Sequence, residues 1–89
     1  MLVKLVELYK PPGDRVHVGE IFVSSTAVTT IRAESDAVML AEAVWLGLNS
    51  EAKFSRITIS EGGMTRTAVV VGSPSEIKEK LNKKMLLRD

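Results

Sequence analysis

Few side chains in this sequence could do chemistry, and its single histidine is the first to consider. His17 lies near Arg15 in a stretch typical of a β-strand, and the chain offers no second histidine, no cysteine and no acidic cluster at metal-ligand spacing. A histidine in this setting is more often a satisfied or exposed strand residue than a general base or a metal ligand. The serines lack the context of an activated nucleophile, and glycine-rich phosphate loops are missing. We therefore predict no catalytic residue, no metal and no cofactor. An enzyme would require catalytic groups from more than one subunit to come together in one site.

Basic side chains offer a second chemistry, the binding of phosphate or carboxylate groups. Five follow one another near the C-terminus: Lys78, Lys80, Lys83, Lys84 and Arg88. Three more lie on predicted strands and could bind an anion in bidentate fashion if they converged: Arg32, Arg56 and Arg66. The formal net charge is only +1, and no aromatic residues interleave with the lysines. Because cations near a helix C-terminus also complement the helix dipole, a nucleic-acid-binding regulator is the alternative hypothesis and not the favoured one.

Length and composition are those of one small folded domain. The chain has 89 residues, of which 45% are apolar, and the absence of cysteine excludes disulfides and thiolate metal sites. Charged residues interrupt the N-terminal stretch, unlike a secretory signal, and no apolar run reaches the roughly 20 residues of a membrane-spanning helix. We predict a single domain over residues 1–89 that is cytoplasmic and does not contact membranes.

Five segments have the alternating pattern of strands, which predicts a small antiparallel sheet of four or five strands. They are residues 2–9, 15–23, 28–33, 54–60 and 65–71. In the second segment Val16 and Val18 share one face, whereas Ile21 and Val23 share the other. This change of phase predicts a kink or bulge at Gly19 and the residue that follows it.

A glycine pair connects the last two strands. Gly62 and Gly63 favour a tight hairpin, because glycine accepts the left-handed dihedral angles of such turns. A two-residue loop would set Ile59 opposite Arg66, whereas a three-residue loop with a bulge would set Ile59 opposite Thr67. The bulged register is preferred because it buries the more apolar face. The run from Val69 to Val71 has no polar alternate, so we expect that end of the strand to be covered on both faces.

Two segments favour helices, which makes the predicted fold α+β. Ser73, Pro74 and Glu76 form a capping box ahead of an amphipathic helix that extends to about Leu86. Residues 36–48 are dominated by helix formers and predict an inserted apolar helix, although a buried strand fits the same apolar positions.

The inserted segment carries more apolar surface than a small domain normally hides. Between Ala37 and Leu48 only Glu42 is charged, and a central Trp45 is of the type that dominates interface energetics. The interface residues that we predict are Val38, Met39, Ala41, Val44, Trp45 and Leu48. We expect a non-enzymatic binding or regulatory module that self-associates as a homodimer or higher oligomer and acts on a protein partner or a small ligand. The alternative is that the segment is enclosed within the monomer.

From Glu20 to Asn82 the order of elements, apart from the insertion, resembles the FlbD-like family of small flagellar and swarming-motility proteins. The resemblance is carried by Ile21-Phe22-Val23, Val28 to Ile31, Arg56 to Ile59 with Gly62-Gly63, Val69-Val70-Val71, and Ser73 to Leu81. It implies a compact β-meander whose last strand passes through a capping serine into a short amphipathic helix. The Pro11-Pro12-Gly13 stretch and residues 36–48 depart from that pattern, so a shared fold would not by itself imply a motility role.

Overall fold

A computed structural model shows a five-stranded antiparallel sheet with one helix packed against it. The structure describes residues 2–35 and 53–86, with side chains up to residue 82. The elements are β1 (Leu2–Tyr9), β2 (His17–Ser24), β3 (Val28–Ala33), β4 (Phe54–Glu61), β5 (Met64–Val71) and α1 (Pro74–Leu86). The predicted sheet and C-terminal helix are confirmed, and the described part is mainly β. The apolar helix predicted at 36–48 lies outside the described residues.

The strand order is β2-β1-β5-β4-β3, so the two edge strands are consecutive in the chain. In a flat sheet these edges would be roughly 19 Å apart, at about 4.8 Å per pair of strands. The link from Ser24 to Val28 could span at most roughly 14 Å even when fully extended. It also forms a turn, in which the Ala27 N–H donates to the Ser24 carbonyl at 3.0 Å, while the Ala27 carbonyl accepts from the Ser60 N–H at 2.9 Å. The sheet is therefore strongly curled and has an inner and an outer face.

The inner face holds the main core, and α1 packs against it. Buried apolar residues from β1, β2, β4 and β5 form one cluster with two residues of the helix, Ile77 and Leu81. The strand members are Val3, Leu5, Val23, Ile57, Ile59, Ala68 and Val70. Within the described residues, no helix is long and apolar enough to cross a membrane.

The turn from β5 into α1 is set by local sequence signals. The Glu76 N–H donates to Ser73 Oγ at 3.2 Å, and the Ser73 hydroxyl lies 3.2 Å from Glu76 Oε1, which confirms Ser73 as the N-cap. Gly72 has φ +129°, and a Cβ at this position would lie 2.9 Å from Cδ1 of Ile77. A side chain at Gly72 would therefore displace the end of the Ile77 side chain, and any residue other than glycine would be strained at this backbone angle.

Ser55 ties this turn to β4 and predicts a measurable loss of stability when replaced. Its side chain is fully buried, and its hydroxyl donates to the Gly72 carbonyl at 2.7 Å. Ser55→Ala removes the donor to that buried carbonyl, so we expect the free energy of unfolding to fall by about 1–3 kcal/mol in urea denaturation. Ser60→Ala on the same strand is the control, since its hydroxyl lies in an exposed contact with Thr65. Equal effects of the two substitutions would contradict this role.

The bulge predicted at Gly19 is wrong. The β1–β2 register runs without interruption from Leu2 opposite Ser24 to Tyr9 opposite His17. The change of apolar phase arises because the sheet buries residues on both faces. Ile21 and Val23 contact the inner core, whereas Val16 lies in a second cluster on the outer face.

The bulged register of the β4–β5 hairpin is also wrong. Gly62 and Gly63 form a two-residue turn with φ +56° and +80°, and Ile59 lies opposite Arg66. The bulged register was preferred because it placed Val69 on the inner face. Val69 instead belongs to the second cluster on the outer face, so coverage at this end of the strand is confirmed without a bulge.

Candidate functional site

The outer face of β1 and β2 carries exposed apolar side chains. Leu2 and Val6 of β1 and Val18 and Phe22 of β2 are between 38% and 62% exposed. All four lie on the face opposite α1, because the register pairs the even-numbered residues of the two strands with one another. We call these four residues the apolar stripe.

The exposed residues of β3 and β5 on the outer face are polar. They include Thr30, Arg32, Thr65 and Thr67. The Thr30 hydroxyl lies 2.6 Å from that of Thr58 across the strands. A sheet face in contact with water normally has such polar residues. The apolar stripe departs from this pattern on the same face of the same sheet, so it has the composition of a contact surface.

One ion pair lies within the apolar stripe. Lys4 Nζ is 3.1 Å from Glu20 Oε2, and both side chains are well exposed. Lys4 lies directly opposite Phe22 in the register, and Glu20 opposite Val6, so the pair runs diagonally across the two strands. These are the only charged side chains on the outer face of β1 and β2, and their charges cancel. An exposed pair of this kind contributes little to stability.

Next to one end of the stripe, on the same outer face, the second cluster fixes the position of β1. Leu8 lies opposite Val18 and is buried with Val16, Phe54 and Val69. The residues of the stripe therefore project from paired strands whose neighbours are packed. Such a surface presents its side chains in a fixed arrangement, as a binding surface requires.

His17 is engaged in the loop between β1 and β2. Its ring stacks on Tyr9, with centroids 5.6 Å apart and planes at 18°, and its Nε2 lies 3.1 Å from Asp14 Oδ2. The Arg15 N–H donates to Asp14 Oδ1 at 2.7 Å, and this hydrogen bond, followed by the contact with His17, lowers the pKa of the Asp14 carboxyl. The described residues contain no group of three side chains that could hold a metal ion. This arrangement holds the loop against β2.

The three strand arginines do not converge. Arg32 lies opposite Arg56 on the outer face, whereas Arg66 lies opposite Ile59 on the other face. Arg56 forms an ion pair with Glu34, whose side chain is only 6% exposed. The predicted arginine site for an anion is therefore not formed. The buried Glu34 carboxylate was not singled out from the sequence, where a single acidic residue after a strand gives no distinctive signal.

The other predicted sites fall partly outside the described residues. Lys78 and Lys80 are exposed on α1, and Glu76 and Glu79 balance their charge in the described part of the helix. Lys84 belongs to the last turns of α1, and Arg88 lies outside the described residues. The predicted interface residues are also outside them: Val38, Met39, Ala41, Val44, Trp45 and Leu48.

Sequence reasoning missed the apolar stripe, although its signal is present. In residues 2–9 and 15–23 apolar side chains occupy both phases of the strand alternation. In residues 15–23 the two phases were explained by a kink, bulge or tight turn at Gly19 and Glu20, and in residues 2–9 they were not interpreted. A regular strand with two apolar faces explains both phases.

No family model, curated protein or solved structure matches this chain. The resemblance to the FlbD-like family therefore stays a prediction from the residues that carry it. Those residues lie in strands and a serine-capped helix, which recur in many small domains.

Proposed function

We propose that this chain is a non-enzymatic binding or regulatory module that self-associates and uses the apolar stripe as its contact surface. The observation that carries the proposal is the contrast between this exposed apolar stripe and the exposed residues of β3 and β5 on the same sheet face, which are polar. The assembled form presents a sheet face or an inter-subunit groove to a protein partner or a small ligand. The apolar helix predicted at 36–48 belongs to the same proposal as a second contributor to the interface.

The size of the stripe supports an association of moderate strength. Fully burying one Val, Leu or Phe side chain stabilises by about 1.5–3 kcal/mol. Because these side chains are already about half buried, four of them on each of two copies would contribute about 6–12 kcal/mol. Losses of translational and rotational freedom oppose association by an estimated 4–15 kcal/mol. Even with the smallest of these losses the net gain is at most about 8 kcal/mol, so a dimer formed by the stripe dissociates in the micromolar range or above and is not permanent.

Nucleic-acid binding through α1 remains the alternative hypothesis, with less support. In the described part of the helix, Lys78 and Lys80 are matched by two glutamates. Phosphate contacts by lysines would make binding weaken steeply with salt. Retention on heparin at low salt that is lost in the Lys80→Glu variant would support this alternative.

Self-association is tested directly by the solution mass of the unmodified chain. We expect size-exclusion chromatography with light scattering to give a mass that rises with concentration from 9.7 kDa toward twice that value. The concentrations should extend from about 1 μM to about 1 mM, to cover the expected dissociation constants. A mass that stays at that of one chain throughout would refute self-association.

A further inference from the structure

We infer that two copies of this chain dock through their apolar stripes around a two-fold axis that passes between Lys4 and Glu20. In this arrangement Lys4 of each copy faces Glu20 of the second copy. The inference rests on the proposed self-association and specifies its geometry. It concerns only the described residues of β1 and β2.

Lys4 and Glu20 can each pair with the oppositely charged residue of a second copy if one particular two-fold rotation relates the two copies. In a dimer with two-fold symmetry, the same patch of both subunits forms the interface. If residue i of one subunit contacts residue j of the other, residue j of the first subunit also contacts residue i of the second. Among the residues of the stripe lie one positive and one negative side chain, with Lys4 Nζ 3.1 Å from Glu20 Oε2. A two-fold axis that lies in the interface, passes through the midpoint of this pair and is perpendicular to the line joining Lys4 and Glu20 exchanges the two positions, so unlike charges meet twice. An axis along that line, or through either residue, would set like charges against each other, which opposes docking.

The apolar neighbours determine how strongly these charges interact. Lys4 lies opposite Phe22, and Glu20 lies opposite Val6. When two stripes meet, these apolar side chains exclude water around the four charges. Attraction between unlike charges grows as the local dielectric constant falls, and the penalty for like charges grows with it. A pair that contributes little on the free surface thus becomes a determinant of docking.

A second copy fits this surface better than a membrane does. Anionic lipid surfaces are bound by apolar surfaces with a clear excess of lysine and arginine. Here Glu20 cancels the charge of Lys4 in the middle of the stripe, and the exposed outer-face residues of β3 and β5 are mostly uncharged threonines. A surface with no net charge and one diagonal ion pair is instead matched by its own copy.

Charge reversal tests the geometry. In Lys4→Glu both charges of the stripe become negative, and in Glu20→Lys both become positive. Alone, each variant should dimerise at least about tenfold more weakly than the unmodified chain, because like charges meet across the interface. An equimolar mixture of the two should form a heterodimer, detected by native mass spectrometry. The double variant Lys4→Glu with Glu20→Lys should dimerise like the unmodified chain.

Lys80→Glu on exposed α1 is the matched control and should dimerise normally. Circular dichroism will show that the single variants are folded, since an exposed ion pair contributes about 1 kcal/mol at most. Single variants that dimerise normally would overturn the inference and leave self-association intact, with the interface elsewhere. Weakened single variants that neither form the heterodimer nor regain dimerisation in the double variant would overturn the two-fold geometry. An unmodified chain that is monomeric, with its stripe covered by residues 36–52, would overturn both proposals.

Discussion

Phe22→Glu is expected to turn the self-associated protein into a monomer that remains folded. Phe22 is 58% exposed in the single chain, so its replacement removes little from the core. In the docked form, however, Lys4 would face two carboxylates, at positions 20 and 22, so each copy would bring one negative charge without a partner into the interface. Burying an unpaired charge costs several kcal/mol, so the association constant should fall at least about a hundredfold. Sedimentation equilibrium or light scattering at matched concentrations measures this change.

Thr67→Glu provides the control for this prediction. Thr67 is exposed on the same outer face, but it lies on β5 in the polar part. The same change of side chain there should leave the association constant unaltered. If Phe22→Glu associates as strongly as Thr67→Glu, the stripe is not the contact surface. If Phe22→Glu alone unfolds the chain, Phe22 belongs to the core of the monomer.

The elements that depend only on residues close together in the sequence were predicted correctly from local patterns. The third strand was predicted at its observed bounds, Val28–Ala33, because its β-branched residues lie between polar links. The start of α1 followed from Ser73 and Pro74, whose roles depend only on the four residues around them. Such features do not require knowledge of what the segment packs against.

The errors share one physical cause. Alternation assigns a strand to a register only if one face is buried and the other is wet. In this sheet Val70 contacts the inner core while the adjacent Val69 is buried on the outer face. The bulged hairpin and the kink at Gly19 were both introduced to place all apolar residues on one side. The apolar stripe was missed for the same reason.

Long-range pairings were not accessible from the sequence. The Lys4–Glu20 pair depends on the register of β1 against β2, and the separation of Arg32 from Arg66 depends on which strands neighbour one another. The curl of the sheet follows from a strand order that no local pattern specifies. Chemistry-bearing residues could therefore be identified, but their grouping into sites could not.

Ile77→Ala is expected to cause a large loss of stability. Ile77 is fully buried at the beginning of α1, where it contacts the inner core and faces Gly72. Shortening a buried isoleucine to alanine removes apolar contacts and leaves a cavity, at a cost of about 2–5 kcal/mol. Small domains are stable by only about 5–15 kcal/mol, so this single change should remove a substantial part of the total. Urea denaturation should show a lower midpoint with an unchanged slope.

Lys78→Ala, at the next and exposed position of the helix, should change stability by no more than about 0.5 kcal/mol. Because the proposed dimer would itself stabilise the folded chain, both variants are best compared in the Phe22→Glu background, in which we expect no association. A loss in that background measures the packing of α1 on the sheet alone. Should Ile77→Ala prove as stable there as Lys78→Ala, the helix would not belong to the core, and the inner face of the sheet would need another cover.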